Sequence, residues 1–393
     1  MDTAKYRTKT ELDKPERIRN NGRIPGKWLE ALDIGYSAVK LFSPNSICCF
    51  PSYARRIDEG FEFMGDAPAS SIVYRNLDTD DMWLVGEMAQ NIIMSGDTSD
   101  SEAALYGRDR YTNAMYRVIA EVSLGIGMRT NKIGGPEKDD EIVIQTGLPE
   151  RYLGDEYDLK DALSGHHHFA LRIGSGDWLT YTFDVKPENI FVMSQPKGSL
   201  FSVCINKDGK WHHEAQKYLT SSVLVFDPGF GTLDLFPIVS GTVGEGATYT
   251  DLGMRRVLSE TSKLIRENYN VEIPVPAMQK YLETGLVRHL NKKSLEVKEY
   301  PFGNLLAESS KKVCSEAIDR IISSISLIDY QYMIVTGGTG AAWLAEINER
   351  FKNFTTLKIL QSNQNDNNLP LIYSNVRGYY LYRFNKLGKG AEG

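Results

Sequence analysis

The chain has 393 residues, 41% hydrophobic and 24% charged, a balance that excludes wholesale disorder and a length too great for one ordinary core. Its formal net charge of -6 gives no global reason to grip the phosphate backbone of nucleic acid directly. No apolar run approaches the roughly 20 residues that span a bilayer. Cys48, Cys49, Cys204 and Cys314 lack metal-clamp spacing, so they read as reduced, buried thiols of a cytoplasmic protein.

The first 27 residues carry eight Lys or Arg against four acids and almost no large apolar residue. A signal peptide needs an apolar centre, so residues 1–28 read as a flexible basic arm. The alternative is a segment that orders against a neighbouring subunit or an anionic partner.

The first strand is expected over Trp28–Ile34, turning at Gly35 into a return strand over Val39–Phe42, a hairpin pattern. From Ser43 to Gly107 the chain reads as irregular, with one short strand at Met82–Val85. Arg110–Gly127 spaces Met115, Val118, Ile119 and Val122 as a helix does. Glu141–Gln145 reads as a strand closed by Thr146-Gly147-Leu148-Pro149, and Gly165–Lys217 as antiparallel strands. Ser222–Phe226 is wholly apolar after its first residue, as a strand buried on both faces is, and Leu233–Val239 looks like the next.

Two amphipathic helices follow, one carrying Met254, Val257, Leu258, Leu264 and Ile265, the other Val313, Ala317, Ile318, Ile321, Ile322 and Ile325. A strand at Tyr332–Val335 opens into a glycine turn, with a helix from Ala341. A helix over Val376–Phe384 and a flexible tail from Lys386 end the chain. Mixed strands with covering helices predict an α/β protein, and the absence of a linker predicts lobes that interleave.

Three strand-to-turn junctions carry the chemistry. They are Asp33-Ile34-Gly35-Tyr36-Ser37 with Lys40, Asp227-Pro228-Gly229-Phe230-Gly231-Thr232 with Asp234, and Gly337-Gly338-Thr339-Gly340. Glycine turns present backbone N–H groups to anions, and a turn that opens a helix adds the positive end of its dipole. Two facing turns would grip the β- and γ-phosphates of a nucleotide. Asp33 and Asp227 are suited to hold Mg²⁺ through its waters, and Lys40 to neutralise phosphate charge. The Walker A and Rossmann fingerprints are absent.

In this order the junctions resemble the phosphate-1, phosphate-2 and adenosine motifs of the actin, heat-shock chaperone and sugar-kinase superfamily. Trp83-Leu84-Val85-Gly86-Glu87-Met88-Ala89, Thr146-Gly147-Leu148-Pro149, Gly244-Glu245-Gly246-Ala247 with Leu252-Gly253, and Ser374-Asn375-Val376-Arg377-Gly378-Tyr379 resemble further stretches of the bacterial plasmid-segregation actins called ParM. Pro228 departs from their usual second loop. The likeness runs in order from about Leu29 to Leu387.

The resemblance implies an actin-like (ribonuclease H-like) duplicated fold, two lobes and four subdomains around a nucleotide cleft. Lobe I would span 29–215, with subdomain IB near 43–108; lobe II would span 216–355, with subdomain IIB near 265–305; residues 356–393 would return to lobe I. It implies an ATPase, GTP not excluded, that binds ATP or ADP with Mg²⁺ and assembles with itself into filaments. These would segregate plasmid DNA through an adaptor bound to the centromere, in a bacterial cytoplasm, with no direct nucleic-acid or membrane contact. Asp227 and Asp234 are the candidate catalytic carboxylates. The family's water-polarising position falls on Tyr152, so Glu150 is the candidate for orienting the attacking water. A small-molecule kinase of the same superfamily and a non-hydrolysing scaffold remain as alternatives. His166, His167 and His168 read as a solvated loop or strand edge, since adjacent residues cannot all ligate one ion, and His212 and His213 are read in the same way.

Overall fold

The computed structural model describes residues 2–12, 23–92, 107–290 and 294–389. β1 (Lys27–Ile34) is buried at every residue but its first, as expected of a strand in the middle of a covered sheet. It pairs antiparallel with β2 (Ala38–Phe42), and β2 with β3 (Ile47–Pro51). β4 (Ala54–Ile57), β5 (Ile72–Asn76) and β6 (Met82–Val85) begin a second sheet, after which Gly86 leads into α1 (Glu87–Asn91). The stretch expected to be irregular thus holds three further strands. They are four or five residues long, and Cys48-Cys49 and Arg55-Arg56 break any apolar alternation, so their pairing is decided by tertiary partners. The part of that expectation covering residues 93–106 lies outside the described residues.

α2 (Ala114–Met128) starts where the Asn113 side chain accepts the Met115 N–H at 2.9 Å, an N-cap. β7 (Glu141–Leu148) runs parallel to β1 and takes in Thr146-Gly147-Leu148 as strand. After α3 (Glu156–Leu163), β8 (Gly165–Ile173) and β9 (Leu179–Val185) complete the second sheet, in the order β4-β6-β5-β8-β9. β10 (Ile190–Ser194) lies parallel to β7 and completes the first sheet, β10-β7-β1-β2-β3. The antiparallel expectation for Gly165–Lys217 therefore holds for β8 and β9 alone. The rest is β10, α4 (Gln195–Cys204) and α5 (Ala215–Thr220), with Pro196 in the first turn of α4, where its missing N–H costs nothing.

The second half repeats the plan. β11 (Val223–Pro228) and β12 (Leu233–Val239) form a hairpin, and β13 (Thr242–Val243) and β14 (Ala247–Tyr249) pair with β12. α6 (Met254–Tyr269), α7 (Val275–Tyr281), the hairpin β15 (Leu286–Leu290) and β16 (Val297–Pro301), and α8 (Gly303–Ser324) follow. β17 (Tyr332–Val335) lies parallel to β11, and after α9 (Gly337–Phe351) β18 (Lys358–Gln361) lies parallel to β17. The sheet order β13-β12-β11-β17-β18 mirrors β3-β2-β1-β7-β10. α9 begins at Gly337, four residues before the expected start, and Ile322 is 49% exposed on α8 instead of joining its buried face.

α10 (Ser374–Lys389) absorbs residues 386–389 of the expected tail; the remainder of that tail lies outside the described residues. It crosses α4 so closely that a Cβ on Gly378 would lie 1.7 Å from the Gly198 carbonyl oxygen. Leu29, Val143, Val225, Ile334 and Tyr379 share one apolar core, so both sheets close on these two helices. All four cysteines are buried, and no disulfide joins them. Among the described residues no helix is long and apolar enough to cross a membrane. Of the expected basic arm, residues 2–12 do not stand off: Thr3–Tyr6 forms a 3-10 turn, and Glu11 bridges to Cys49, while residues 13–22 lie outside the described residues.

Candidate functional site

The two hairpins close in the same way. Gly35 donates its N–H to the Ala38 carbonyl at 3.0 Å, and Gly229 donates to the Thr232 carbonyl at 2.7 Å. Both turns face one cavity. The first contributes Asp33, Gly35, Tyr36, Ser37 and Lys40; the second contributes Asp227, Gly229, Phe230, Gly231, Thr232 and Asp234. Gly337, Gly338 and Thr339 of the third junction line it too. Gly340 does not; a Cβ there would lie 3.1 Å from Val335, so it serves the packing of α9 on β17. Gly337 has φ +76°, with its missing Cβ 3.0 Å from Asp227 Oδ1, a position only glycine occupies without strain. Thr339 Oγ1 donates to the Gly229 carbonyl at 2.9 Å and ties the third junction to the second.

Hairpin register decides what each first-strand aspartate faces. Asp33 lies opposite Lys40, and Lys40 Nζ donates to Asp33 Oδ2 at 3.2 Å. Burial works against the Lys40 charge, but Asp33 outweighs it and holds the ammonium above its ordinary range. Asp227 instead lies opposite Asp234. Burial pushes Asp227 up to about 6, helped by repulsion from Asp33 and opposed by Asn375, whose Nδ2 donates to Asp227 Oδ2 at 2.8 Å. Burial pushes Asp234 up to about 7; repulsion from Asp227 and Glu150 adds to this, while the hydroxyls of Thr248 and Thr232 donate to it and oppose it. Buried like charges titrate high for this reason.

Glu150 opens the 3-10 turn Glu150–Asp155 and is not part of the cavity lining. It packs against Gly246, where a Cβ would come within 2.5 Å of its Cγ, and its Oε2 is buried with no hydrogen-bond partner among the described residues. It therefore stands beside Asp234 as an unsatisfied acceptor.

Three residues outside the three junctions also line the cavity. Gln195 Nε2 donates to Asp33 Oδ1 at 3.2 Å, Asn375 holds Asp227, and Arg110 lies with its guanidinium 4.9 Å from the ring centres of both Tyr36 and Tyr116. Arg110 also donates to the Ile34 carbonyl. The ring of Tyr36 fills the space a Cβ on Gly231 would need, so cation–π contact couples α2 to both turns. Gln195-Pro196 is a strand-to-helix signal that could have pointed to the first of these.

The histidines need one correction. His167 is buried, not solvated: its ring lies between Glu121 Oε1 at 3.0 Å and the Leu163 carbonyl at 3.2 Å, stacked on Phe183. His166 and His168 point outward to Asp184 and Asp78, as strand alternation requires. His212, His213 and Glu214 bring possible ligand atoms within 4.8 Å of one another, but the Glu214 carboxylate already accepts from the Tyr218 hydroxyl at 3.0 Å.

The repeated five-strand order of the two sheets and the cleft between their hairpins define an actin-like fold. Residues 31–198 match the family model described as the N-terminal domain of actin-like proteins. No curated protein matches the sequence. Among solved structures, the chain is similar to a non-polymerisable quadruple mutant of pCBH ParM, at 17% identity and TM-score 0.68, covering 93% of this chain and all of that one. It is similar to a ParM filament from Clostridium botulinum, at 16% identity and TM-score 0.67, covering 91% and 99%. An archaeal actin homologue in complex with ADP is similar at 13% identity and TM-score 0.58, covering 93% and 100%. The resemblance to ParM and other actin homologues read from the motifs is thus borne out at the level of fold.

Proposed function

We propose that this chain is a nucleotide-hydrolysing, filament-forming actin-like ATPase. The observation that carries the reading is the single cavity into which two glycine turns and a glycine-opened helix all face. Gly35, Tyr36 and Ser37 on one side and Gly229, Phe230, Gly231 and Thr232 on the other would cradle the phosphates. Gly337, Gly338, Thr339 and, behind them, Gly340 would floor the nucleoside end. The ADP complex of the archaeal homologue supports a nucleotide in this place.

The donor set also fits a magnesium ion. Asp33 and Asp227 are hard carboxylate donors, each at the end of a first strand and each buried, and their outer oxygens are held by Gln195 and Asn375. Such a pair suits an ion that keeps several waters. The ion would supply charge neutralisation on the phosphates. Lys40 contributes a fixed cation, Asp234 is poised to accept a proton near neutrality, and Glu150 beside it would orient the attacking water. Positioning and electrostatics then carry the phosphoryl transfer.

Self-association is supported by the likeness to a ParM filament and by exposed apolar side chains on the β15–β16 hairpin, Leu290 at 50% and Val297 at 58%, of the kind that mark contact sites. Plasmid segregation through an adaptor and centromeric DNA is the cellular role we propose on the strength of the ParM likeness. The test adds ATP or GTP with Mg²⁺ to the purified chain and follows light scattering, electron micrographs and phosphate release. Filaments with phosphate release are expected; a chain that neither binds nucleotide nor assembles would overturn the reading.

A further inference from the structure

The two lobes are tied together a second time, by the first residues of the chain. The hydroxyl of Thr3 donates to the Leu282 carbonyl of lobe II at 2.6 Å, and the Tyr6 ring packs on the lobe II core with its hydroxyl 3.3 Å from Ser310 Oγ. Five residues after Tyr6 the chain is bonded to lobe I. Glu11 and Cys49 exchange backbone hydrogen bonds of 2.7 and 2.9 Å along the edge strand β3, and the Glu11 carboxylate accepts from the Tyr373 hydroxyl at 2.7 Å.

Arg7 lies between these anchors. Its side chain is 8% exposed, and its guanidinium donates to Glu283, just beyond α7 in lobe II, at 2.9 Å and to Glu87, the first residue of α1 in lobe I, at 2.8 Å. The Thr10 N–H reaches the same Glu87 carboxylate at 3.2 Å. Lys5, Tyr6, Arg7 and Thr8 line the cavity that holds the glycine turns. They form a wall and leave the phosphate space clear, because Tyr6 is spent on lobe II and Arg7 on its two carboxylates. Two cations of this basic segment thus meet acids, Arg7 with Glu87 and Glu283 and Lys9 with Glu283.

We propose that the N-terminal segment is a fourth wall of the nucleotide site and that Arg7 is a positioning residue which keeps the lobes closed and sets the rate of nucleotide release. This rests on the nucleotide-binding reading above. A planar guanidinium engages two carboxylates at once with little loss of freedom, and removing it leaves Glu87 without its cation and Glu283 with Lys9 alone, at 3.4 Å. Opening the cleft enough to let a nucleotide leave must break at least one of these pairs.

The test uses the full chain and a fluorescent ADP chased with excess unlabelled ADP in a stopped-flow instrument. Arg7→Ala is expected to release nucleotide about tenfold faster, and Arg7→Lys, which keeps the charge but reaches one carboxylate, by a smaller factor. Glu283→Gln guards against a folding artefact, since Glu283 is half exposed, and it should speed release in the same direction. Release from all three variants no faster than from the wild type overturns the proposal. If the wild type binds no nucleotide, the functional reading fails and hydrogen exchange of the nucleotide-free protein still decides about the wall. Faster exchange at the Glu11 and Cys49 amides in Arg7→Ala sustains it, and unchanged protection overturns it.

Discussion

The hairpins β1–β2 and β11–β12 have the same topology, the same turn closure and the same register, yet they carry opposite chemistry. Where β1 places Asp33, β2 answers with Lys40; where β11 places Asp227, β12 answers with Asp234. One residue on the second strand therefore leaves one hairpin with a neutralised aspartate and the other with a pair of acids with raised pKa values. Backbone duplication gives the cleft its symmetry, and side-chain choice at one register position removes it. A water attacking a phosphoryl group needs that asymmetry, because the charge to be stabilised and the proton to be accepted are on different sides.

Exchanging the chemistry of one hairpin should reveal the division. Asp234→Asn removes the proton acceptor and is expected to lower phosphate release at saturating nucleotide by about a hundredfold, while nucleotide affinity by calorimetry changes little. Glu150→Gln should lower turnover in the same assay by a smaller factor, as a water-orienting group would. Turnover unchanged in both would remove the acid hairpin from the chemistry.

Lys40→Met attacks the other hairpin. It leaves the Asp33 carboxylate buried without its cation, and nucleotide affinity is expected to fall by about tenfold or more. Equal affinity in this variant and the wild type would mean that Lys40 serves the fold of β1–β2 alone.

A milder probe is pH. Asp227 near 6 and Asp234 near 7 must lose their protons before they can hold a hydrated cation or accept a proton. Turnover of the wild type should rise as pH climbs through about 6 and about 7, and the upper step should vanish in Asp234→Asn. The stability sign is opposite. Both folded pKa values exceed those of an unfolded aspartate, so the stability these groups contribute is complete in acid and is lost as pH rises through those same values. A profile flat from pH 5 to pH 8 would contradict the assignment.

Much of this site was legible because it is local. An apolar strand, a glycine turn and a following strand or helix form one continuous stretch of chain, and the three junctions fall where Asp33, Asp227 and Gly337 place them. The partners that finish the site come from far away. Gln195 lies 162 residues from Asp33, and Asn375 lies 148 residues from Asp227; nothing near either one announces a carboxylate. Residues 2–12 misled for the same reason, since a segment poor in apolar residues gives no sign of order until Glu87, Glu283 and the edge of β3 are brought to it. His167 reads as polar surface in the sequence and is buried because Arg117 and Glu121 at Nδ1 and the Leu163 carbonyl at Nε2 give both its ring nitrogens partners.

The matched first strands also differ at a position where one is ionisable and the other apolar, and it yields the smallest expected effect. Three residues before Asp33, β1 carries Glu30; three residues before Asp227, β11 carries Leu224, and both are fully buried. Trp28 Nε1 donates to Glu30 Oε1 at 2.9 Å, but Oε2 has no hydrogen-bond partner among the described residues. Burial therefore holds the Glu30 pKa well above 4.5, against the pull of the Trp28 hydrogen bond. Because the folded value lies above the unfolded one, the stability this carboxyl contributes is fully present below the unfolded value and declines as pH rises toward the folded one. Between the two values, one proton released on unfolding gives a slope of up to about 1.4 kcal/mol per pH unit. Glu30→Gln keeps the Trp28 contact and cannot ionise. Denaturant unfolding at pH 5, 7 and 8 should show its stability advantage over the wild type growing with pH, whereas parallel curves would mean that Glu30 is ionised in the folded state and has a cation the strand does not reveal. Glu30→Leu, which gives β1 the residue that β11 already has, should show the same trend if the two hairpins differ here in charge alone.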